Sequence, residues 1–309
     1  MIVFLNNQFV PEEQALVSVF DRSFLYGDGL FETLLVKNSQ PFRWAQHWDR
    51  LRRGAEAMHL TLPLPDRDAR QRALELIRRN ELPDAILRVT LSRGVGPRGY
   101  SIKDATQPTL VISLHPTPVI DPAQPPTWTL ITATPRVPAG DRLATIKSCN
   151  KLAQILARAE AEERGANEAL ILNTKDEVAE TAASNLFWVK HGTICTPPPA
   201  TGALAGVTRA VVLELCQSLH LPTVKKVIHA DTLLRAHGVF LTLSTLGLVE
   251  VTSLDGTAIP SSPLVARLRE AYWRVVAEET QRGTQTVAKP PVPASDTVPP
   301  AARNANPSA

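Results

Sequence analysis

The sequence predicts an α+β fold built in two parts, and three observations carry that expectation. The chain has 309 residues, and at roughly 150 residues per domain this length suits two hydrophobic cores. Short alternating segments with polar two-residue turns stand beside longer segments with apolar residues at helical spacing, so strands and helices are mixed throughout. A proline-rich, apolar-poor run, "PVIDPAQPP" at 118–126, breaks the pattern near the middle and reads as a linker. The expected division is therefore 1–117, a linker at 118–126, a second unit at 127–282 and a tail at 283–309.

The first unit opens with a hairpin, "IVFLNNQFV", turning at Asn6-Asn7, and a second, "LFETLLVKNSQPFRW", turning at Asn38-Ser39. "AQHWDRLRRGAEAMHL" and "DRDARQRALELIRRN" have helical periodicity, the second with Asp66 or Asp68 near its start. "AILRVTLSRG" and "PTLVISLHP" read as strands. The second unit begins with the strand "TWTLITATP", then a loop holding Lys147, then the helix "NKLAQILARAEAEERG", closed by Gly165. Strands follow in "EALILN" and "NLFWVKHGTICT", a helix in "GVTRAVVLELCQSLH", a strand in "GVFLTLST" and a last helix in "PLVARLREAYWRVVAEET". The tail is rich in Pro, Ala, Ser and Thr without aromatics, a composition that buries too little apolar area to offset ordering.

Hydrophobic residues make up 44% and charged residues 20%, and the formal charge is only +3. No block of like charge points to nucleic acid. No apolar run reaches the ~18 residues that span a bilayer, and "MIVFLNNQFV" lacks the basic start and cleavage site of a signal peptide. Cys149, Cys195 and Cys216 are odd in number and form no CxxC pair, and the 7 histidines lack metal-ligand spacing. Neither a disulfide framework nor a metal site is expected, and a cytoplasmic location fits. His47 reads as a packing or surface residue.

"GVGPRG" (Gly94–Gly99) satisfies the dinucleotide formula G-x-G-x-x-G, but Pro97 lies inside it and "YSIKDATQPT" after it is loop, so no helix N-terminus faces a pyrophosphate. The same loop offers Arg93, Arg98 and Tyr100, residue types that suit a carboxylate.

Five stretches in order together resemble the class IV aminotransferases, the fold-type IV enzymes of pyridoxal 5'-phosphate (PLP): "FLYGDGLFETLLV", "HWDRL", "TIKSCNKL", "VAETAASNLFW" and "GALAGVTR". The resemblance spans roughly Ile2 to Arg274. It implies a two-domain α+β fold of the D-amino-acid aminotransferase type, PLP between the domains and a homodimer. It also assigns residues. Lys147 matches the lysine that forms the Schiff base with the PLP aldehyde, chemistry natural to an amine. Lys151 reads as a helix residue on a solvated face. Glu180 matches the carboxylate at the pyridine nitrogen. Arg50 matches the phosphate arginine, and Val207 and Thr208 open a helix whose N-terminal N–H groups favour an anion. Ser244 and Thr245 match a second pair on the phosphate side. Phe31, Arg98 and Tyr100 are the expected substrate contacts; Glu32 follows Phe31 in an aromatic-Glu pair that aminotransferases often carry and many lyases share, so it does not separate the two reactions, and taken without the resemblance it reads as a strand residue facing solvent.

The reaction is less sharply marked. "SRGVGPRGYS" is similar to the Arg-Gly-Tyr pattern of aminodeoxychorismate lyases, and "STLGLVEV" matches their later segment loosely, with Glu250 where proline is usual. The expectation leans to 4-amino-4-deoxychorismate lyase, giving p-aminobenzoate and pyruvate. The alternative is a transaminase for branched-chain or D-amino acids with a 2-oxo acid acceptor.

Overall fold

A computed structural model describes residues 1–118 and 124–285. Asn6 and Asn7 both take positive φ (45° and 71°), the geometry of a tight hairpin turn that asparagine tolerates. It lets β1 (Ile2–Leu5) fold straight back onto β2 (Gln8–Pro11). A short helix α1 (Arg22–Tyr26) follows, capped by the Asp21 carboxylate on the Ser23 N–H. β3 (Gly29–Lys37) and β4 (Gln40–Pro41) form the second expected hairpin, with Asn38 and Ser39 again at positive φ. The two expected helices are α2 (Trp44–Ala57) and α3 (Asp66–Asn80), and the two strands after them are β5 (Ala85–Ser92) and β6 (Thr109–Pro116).

These six strands make one antiparallel sheet in the order β2-β1-β6-β5-β3-β4. Its core is closed by α2 and α3, where Leu51, Leu76 and Ile77 meet Leu34, Leu87 and Ile112, all almost fully buried. Fully burying side chains of this size contributes about 1.5–3 kcal/mol each.

The second sheet is mixed. β7 (Thr127–Val137) runs to the lysine loop, and α4 (Leu152–Glu163) carries the chain back to β8 (Glu168–Asn173), which pairs with β7 in parallel. A parallel pair needs such a crossover. β9 (Val178–Thr181), β10 (Asn185–Lys190) and β11 (Thr193–Thr196) follow, then α5 (Val207–Ser218), β12 (Thr223–Lys225), β13 (Val239–Leu243), β14 (Gly247–Leu254), β15 (Thr257–Ala258) and α6 (Pro263–Gln285). The order is β12-β11-β10-β13-β14-β7-β8-β9, with β15 on β14. α5 and α6 bury Val211, Val212 and Tyr272 against Phe187 and Phe240, and the same cluster takes in Leu35 and Ile86 of the first sheet and Phe42 just after β4. The two halves therefore share apolar contact along α6.

Two expectations shift at their edges. The expected linker falls between β6 and β7, though 119–123 lie outside the described residues. α6 continues to Gln285, past the expected tail start at Gly283, and the rest of the tail lies outside the described residues. Sequence reading also passed over α1, β9, β12, β14 and β15, each short or masked by motif residues. Among the described residues, no helix is long and apolar enough to cross a membrane.

Candidate active site

The lysine loop belongs to the second half by sequence yet is pinned to the first. Phe31 N–H donates to the Lys147 carbonyl at 3.0 Å, and Cys149 N–H donates to the Gly29 carbonyl at 2.8 Å. Leu30 and Ser148 pair as an isolated bridge between these bonds. β3 thus sets the height of Lys147 above the second sheet. Its Nζ lies 4.5 Å from the centre of the Phe31 ring, a cation–π contact on the ring face. Arg88 lies over the same ring at 4.1 Å.

A cavity of about 570 Å³ opens at this junction. Arg50, Lys147, Glu180, Val207, Thr208, Ser244, Thr245 and Phe31 all line it. Eight residues from six separate sequence segments converge on one space. Arg98 and Tyr100 do not reach it. They lie on the loop after β5, exposed, with Tyr100 packed edge-on against Tyr26 at 5.7 Å.

Burial pushes the Lys147 ammonium down to about 8, with the Arg50 charge adding to the effect and Glu32 opposing it. Burial pushes the Glu180 carboxyl up to about 7, against the Leu204 N–H bond and the charges of Lys151, Lys147 and Arg50. Glu180 Oε2 accepts the Leu204 N–H at 2.8 Å and the Asn185 amide at 3.1 Å. Among the described residues Oε1 has no such partner. Asn185 also donates to the Leu204 carbonyl at 2.8 Å, so one amide locks the carboxylate to the 204 backbone. Space here is tight: a Cβ at Gly206 would meet Asn185 Oδ1 at 2.0 Å.

Arg50 is the best-anchored residue. Its Nε and one terminal nitrogen grip both oxygens of Glu32 at 2.8 and 2.6 Å, and its other terminal nitrogen donates to the Ala205 carbonyl at 3.0 Å. His47 Nδ1 adds a contact to Glu32 Oε2 at 2.7 Å. Burial works against the Glu32 charge, but Arg50 and His47 outweigh it and hold the carboxyl at about 2. Burial keeps His47 below its usual value. A guanidinium has five N–H groups, and these contacts use three, so two remain for an anion.

The anion end has further donors. α5 starts at Val207 with no side-chain cap at Gly206, leaving its first N–H groups open toward the cavity. Thr242 lines the cavity, and its Oγ1 is buried without a hydrogen-bond partner. A buried hydroxyl is rarely left unpaired. An amine, a carboxylate facing it, and uncommitted donors at a helix N-terminus match the aldehyde, ring nitrogen and phosphate of PLP, so the residues present fit that group.

Several expectations need correction. Lys151 is no solvated-face residue: it stands at the N-cap of α4, partly buried, and lines the cavity. Glu32 does not face solvent but is 2% exposed and paired. Of the two readings of His47, packing or surface, packing holds, since it is a buried partner of Glu32. Arg93, a candidate carboxylate holder, is spent inside the fold, with Asp28 accepting from it at 2.7 and 3.0 Å and the His59 and Met58 carbonyls taking the rest. The glycines of "GVGPRG" serve loop geometry, since Gly94 has φ +85° and a Cβ there would meet the Gln107 carbonyl at 1.8 Å. Asn185, the Leu204 N–H and Thr242 were missed. Asn185 and Leu204 both lay inside quoted motifs, "VAETAASNLFW" and "GALAGVTR", whereas Thr242 carries no local signal.

Comparison with known proteins gives the same reading. Residues 29–254 match the family model of amino-transferase class IV, and the chain belongs to that family. A Methanocaldococcus jannaschii protein named as a candidate branched-chain-amino-acid aminotransferase is 33% identical, covering 88% of this chain and 95% of its own. The structure of a branched-chain aminotransferase from Thermoproteus uzoniensis, solved with norvaline, superposes with a TM-score of 0.85 at 26% identity, covering 91% of this chain and 96% of that one. A 4-amino-4-deoxychorismate lyase from Pseudomonas aeruginosa superposes at 0.76 with 31% identity, covering 87% and 97%. The protein is a fold-type IV enzyme of a PLP-dependent family.

Proposed function

We propose that this enzyme transfers an amino group from an amino acid to a 2-oxo acid, with Lys147 as the amine that holds PLP. The observation that carries the reading is the convergence of Lys147, Glu180 and the Arg50–Thr208 anion end on one cavity. PLP, when bound, supplies an aldehyde for an amine and a ring that accepts the electron pair released at Cα. Lys147 holds the group and, once displaced, moves the Cα proton. Its lowered ammonium value, about 8, leaves a useful fraction neutral near physiological pH. Glu180, oriented by Asn185 and Leu204, keeps a negative charge or a shared proton at the ring nitrogen. Arg50, Val207, Thr208, Ser244 and Thr245 hold the phosphate, and the Phe31 ring walls the amine.

Transfer is favoured over lyase chemistry on two grounds. Arg98 and Tyr100, on which the lyase expectation rested, stand outside this chain's own cavity. The relative at 33% identity carries an aminotransferase name. The 31% identity to a lyase keeps that as the second reading. We extend the proposal to a homodimer. Phe20, Phe24, Leu152, Ile155 and Leu156 are exposed apolar residues, and Ile155 is also part of the cavity wall. A second copy seated on this surface would wall the cavity and give Arg98 and Tyr100 a substrate to hold. The three cysteines are free, which suits a cytoplasmic enzyme. Residues 1–117 and 127–282 are taken as its two domains, joined across 118–126.

The test is a paired assay. PLP-loaded protein should turn yellow, the colour should be fixed by borohydride, and leucine, D-alanine or glutamate should pass their amino group to a 2-oxo acid. Formation of p-aminobenzoate from aminodeoxychorismate with no amino transfer would replace this reading by the lyase. A colourless protein that takes up no PLP would remove both. Elution as a monomer in gel filtration would remove the dimer.

A further inference from the structure

The cavity's anion end is built from both halves of the chain: Arg50 comes from α2, and the open N–H groups come from the start of α5. One bond joins them there, from Arg50 to the Ala205 carbonyl at 3.0 Å. A second junction lies further from the cavity. Arg43, at the N-cap of α2, reaches Glu214 of α5 at 2.9 Å and Glu279 of α6 at 2.8 Å. Its guanidinium also lies 5.7 Å from the centre of the Phe42 ring, which packs edge-on against Tyr272 of α6 at 5.9 Å. The Arg43 side chain is only 13% exposed, although both carboxylates reach solvent.

The spacing of the two junctions matches on both helices. Arg43 and Arg50 are seven residues apart on α2, as Val207 and Glu214 are on α5. Seven residues make about two turns, or roughly 10 Å, and return to the same helix face. With Arg50 beside Ala205 and Arg43 beside Glu214, the two helices run antiparallel and are linked at both ends of this stretch. The outer link is held against backbone strain. Arg43 has φ 56° and ψ 38°, the left-handed region, which a bulky residue rarely takes. Such a conformation persists only where surrounding contacts over-determine it. The side chain makes no cap bond to its own helix, so the ion pairs that the conformation serves run to α5 and α6.

We propose that Arg43 is a positioning residue for the phosphate of PLP: it clamps α2 to α5 and α6, and so fixes the gap between the Arg50 guanidinium and the α5 N-terminus. This rests on the PLP reading above. A phosphate held between a guanidinium and helix N–H groups needs both within hydrogen-bond distance at once. The two come from separate halves, so their spacing is set by whatever ties the helices together. Arg50 ties them only at the ligand itself, where its remaining N–H groups must stay open. Arg43 does not line the cavity and fixes that spacing from two turns away. Each of its ion pairs is partly exposed and weak singly, but one guanidinium joins three helices at a single point.

The experiment compares wild type with Arg43→Gly and with the double variant Glu214→Ala, Glu279→Ala. Glycine takes the left-handed turn without strain, so the first variant loses the clamp and keeps the helix start. The double variant keeps Arg43 and removes its partners, both on exposed helix faces. Dissociation constants are measured on the apoprotein for PLP and for pyridoxal, which lacks the phosphate, and the apoprotein is melted in parallel. Both variants should bind PLP about fivefold more weakly, the weight of two weak pairs lost together. Pyridoxal affinity should stay within about twofold of wild type, and melting temperatures within about 3 °C. PLP and pyridoxal weakened alike, or PLP affinity unchanged, would overturn the proposal. A loss in Arg43→Gly that the double variant does not reproduce would also overturn it and assign the effect to the turn. Should glycine prevent folding, the double variant decides. If wild type itself takes up no PLP, the failure lies with the PLP reading, and the clamp's proposed role falls with it.

Discussion

Replacing Glu32 by Ala tests whether the buried pair with Arg50 holds the anion end in place. Glu32 is 2% exposed, and both oxygens are engaged by Arg50, with His47 as a third partner. Removing one partner of a buried ion pair costs about 3–5 kcal/mol, because the other charge is left buried alone. The carboxyl itself leads to a similar figure. Its value falls from the ordinary 4.5 to about 2, and at ~1.4 kcal/mol per pH unit that is about 3 kcal/mol. The sign follows from the direction. A carboxyl held low in the folded state stabilises above its unfolded value of about 4.5, and that contribution is lost as pH falls through about 2. At neutral pH the whole contribution is present. Glu32→Ala should therefore lower the apoprotein melting temperature by roughly 6–10 °C at pH 7, at ~2–3 °C per kcal/mol for a protein of this size. It should also weaken PLP binding, since Arg50 loses two of its three anchors. Thermal melts from pH 7 down to pH 3, monitored by circular dichroism, make the measurement, and the gap between variant and wild type should narrow below pH 4. A loss under 2 °C with unchanged PLP affinity would refute the claim that this pair positions Arg50.

Other substitutions probe the rest of the cavity. Lys147→Ala should leave PLP bound only noncovalently, so borohydride treatment followed by denaturation should retain no cofactor on the chain. In wild-type apoprotein, capture of added PLP should speed up about tenfold per pH unit and level off above about 8, where the Lys147 ammonium loses its proton; a flat profile between pH 6 and 8 would contradict the lowered value. Glu180→Gln should keep the cofactor but cut turnover on the order of 10²-fold, as when one preorganised charge is removed from a site; stopped-flow rates of Cα proton loss would read it. Gly206→Ala should drive its new methyl into Asn185 Oδ1, 2.0 Å away, and loosen Glu180. It should lower turnover with little change in melting temperature, and Asn185→Ala should mimic it.

How much was legible in the sequence divides along physical lines. The hairpin turns were readable because Asn6-Asn7 and Asn38-Ser39 are residue types that tolerate positive φ, and that preference is local. The helices α2 to α6 were readable from spacing alone. Lys147, Glu180, Arg50 and Thr208 were readable because each sits in a motif whose residues are neighbours in the chain, and the structure brings all four to one cavity. Glu32 was not readable, because its burial depends on α2 crossing β3 and presenting Arg50 and His47 from 18 and 15 residues away. Arg93 looked free in sequence and is not, because Asp28, 65 residues distant, claims it.

What the sequence determined by itself was the order of the longer elements and the family, and it marked the motif that carries Lys147, since periodicity, turn chemistry and contiguous motifs are properties of short stretches. What only the tertiary structure decided was the state of each charge. Whether Lys151 meets water or a cavity, whether Glu32 stays ionised, and whether Arg98 faces this chain's site all depend on which distant segment lies against it. Burial and ion pairing act through space, and the fold alone sets those distances.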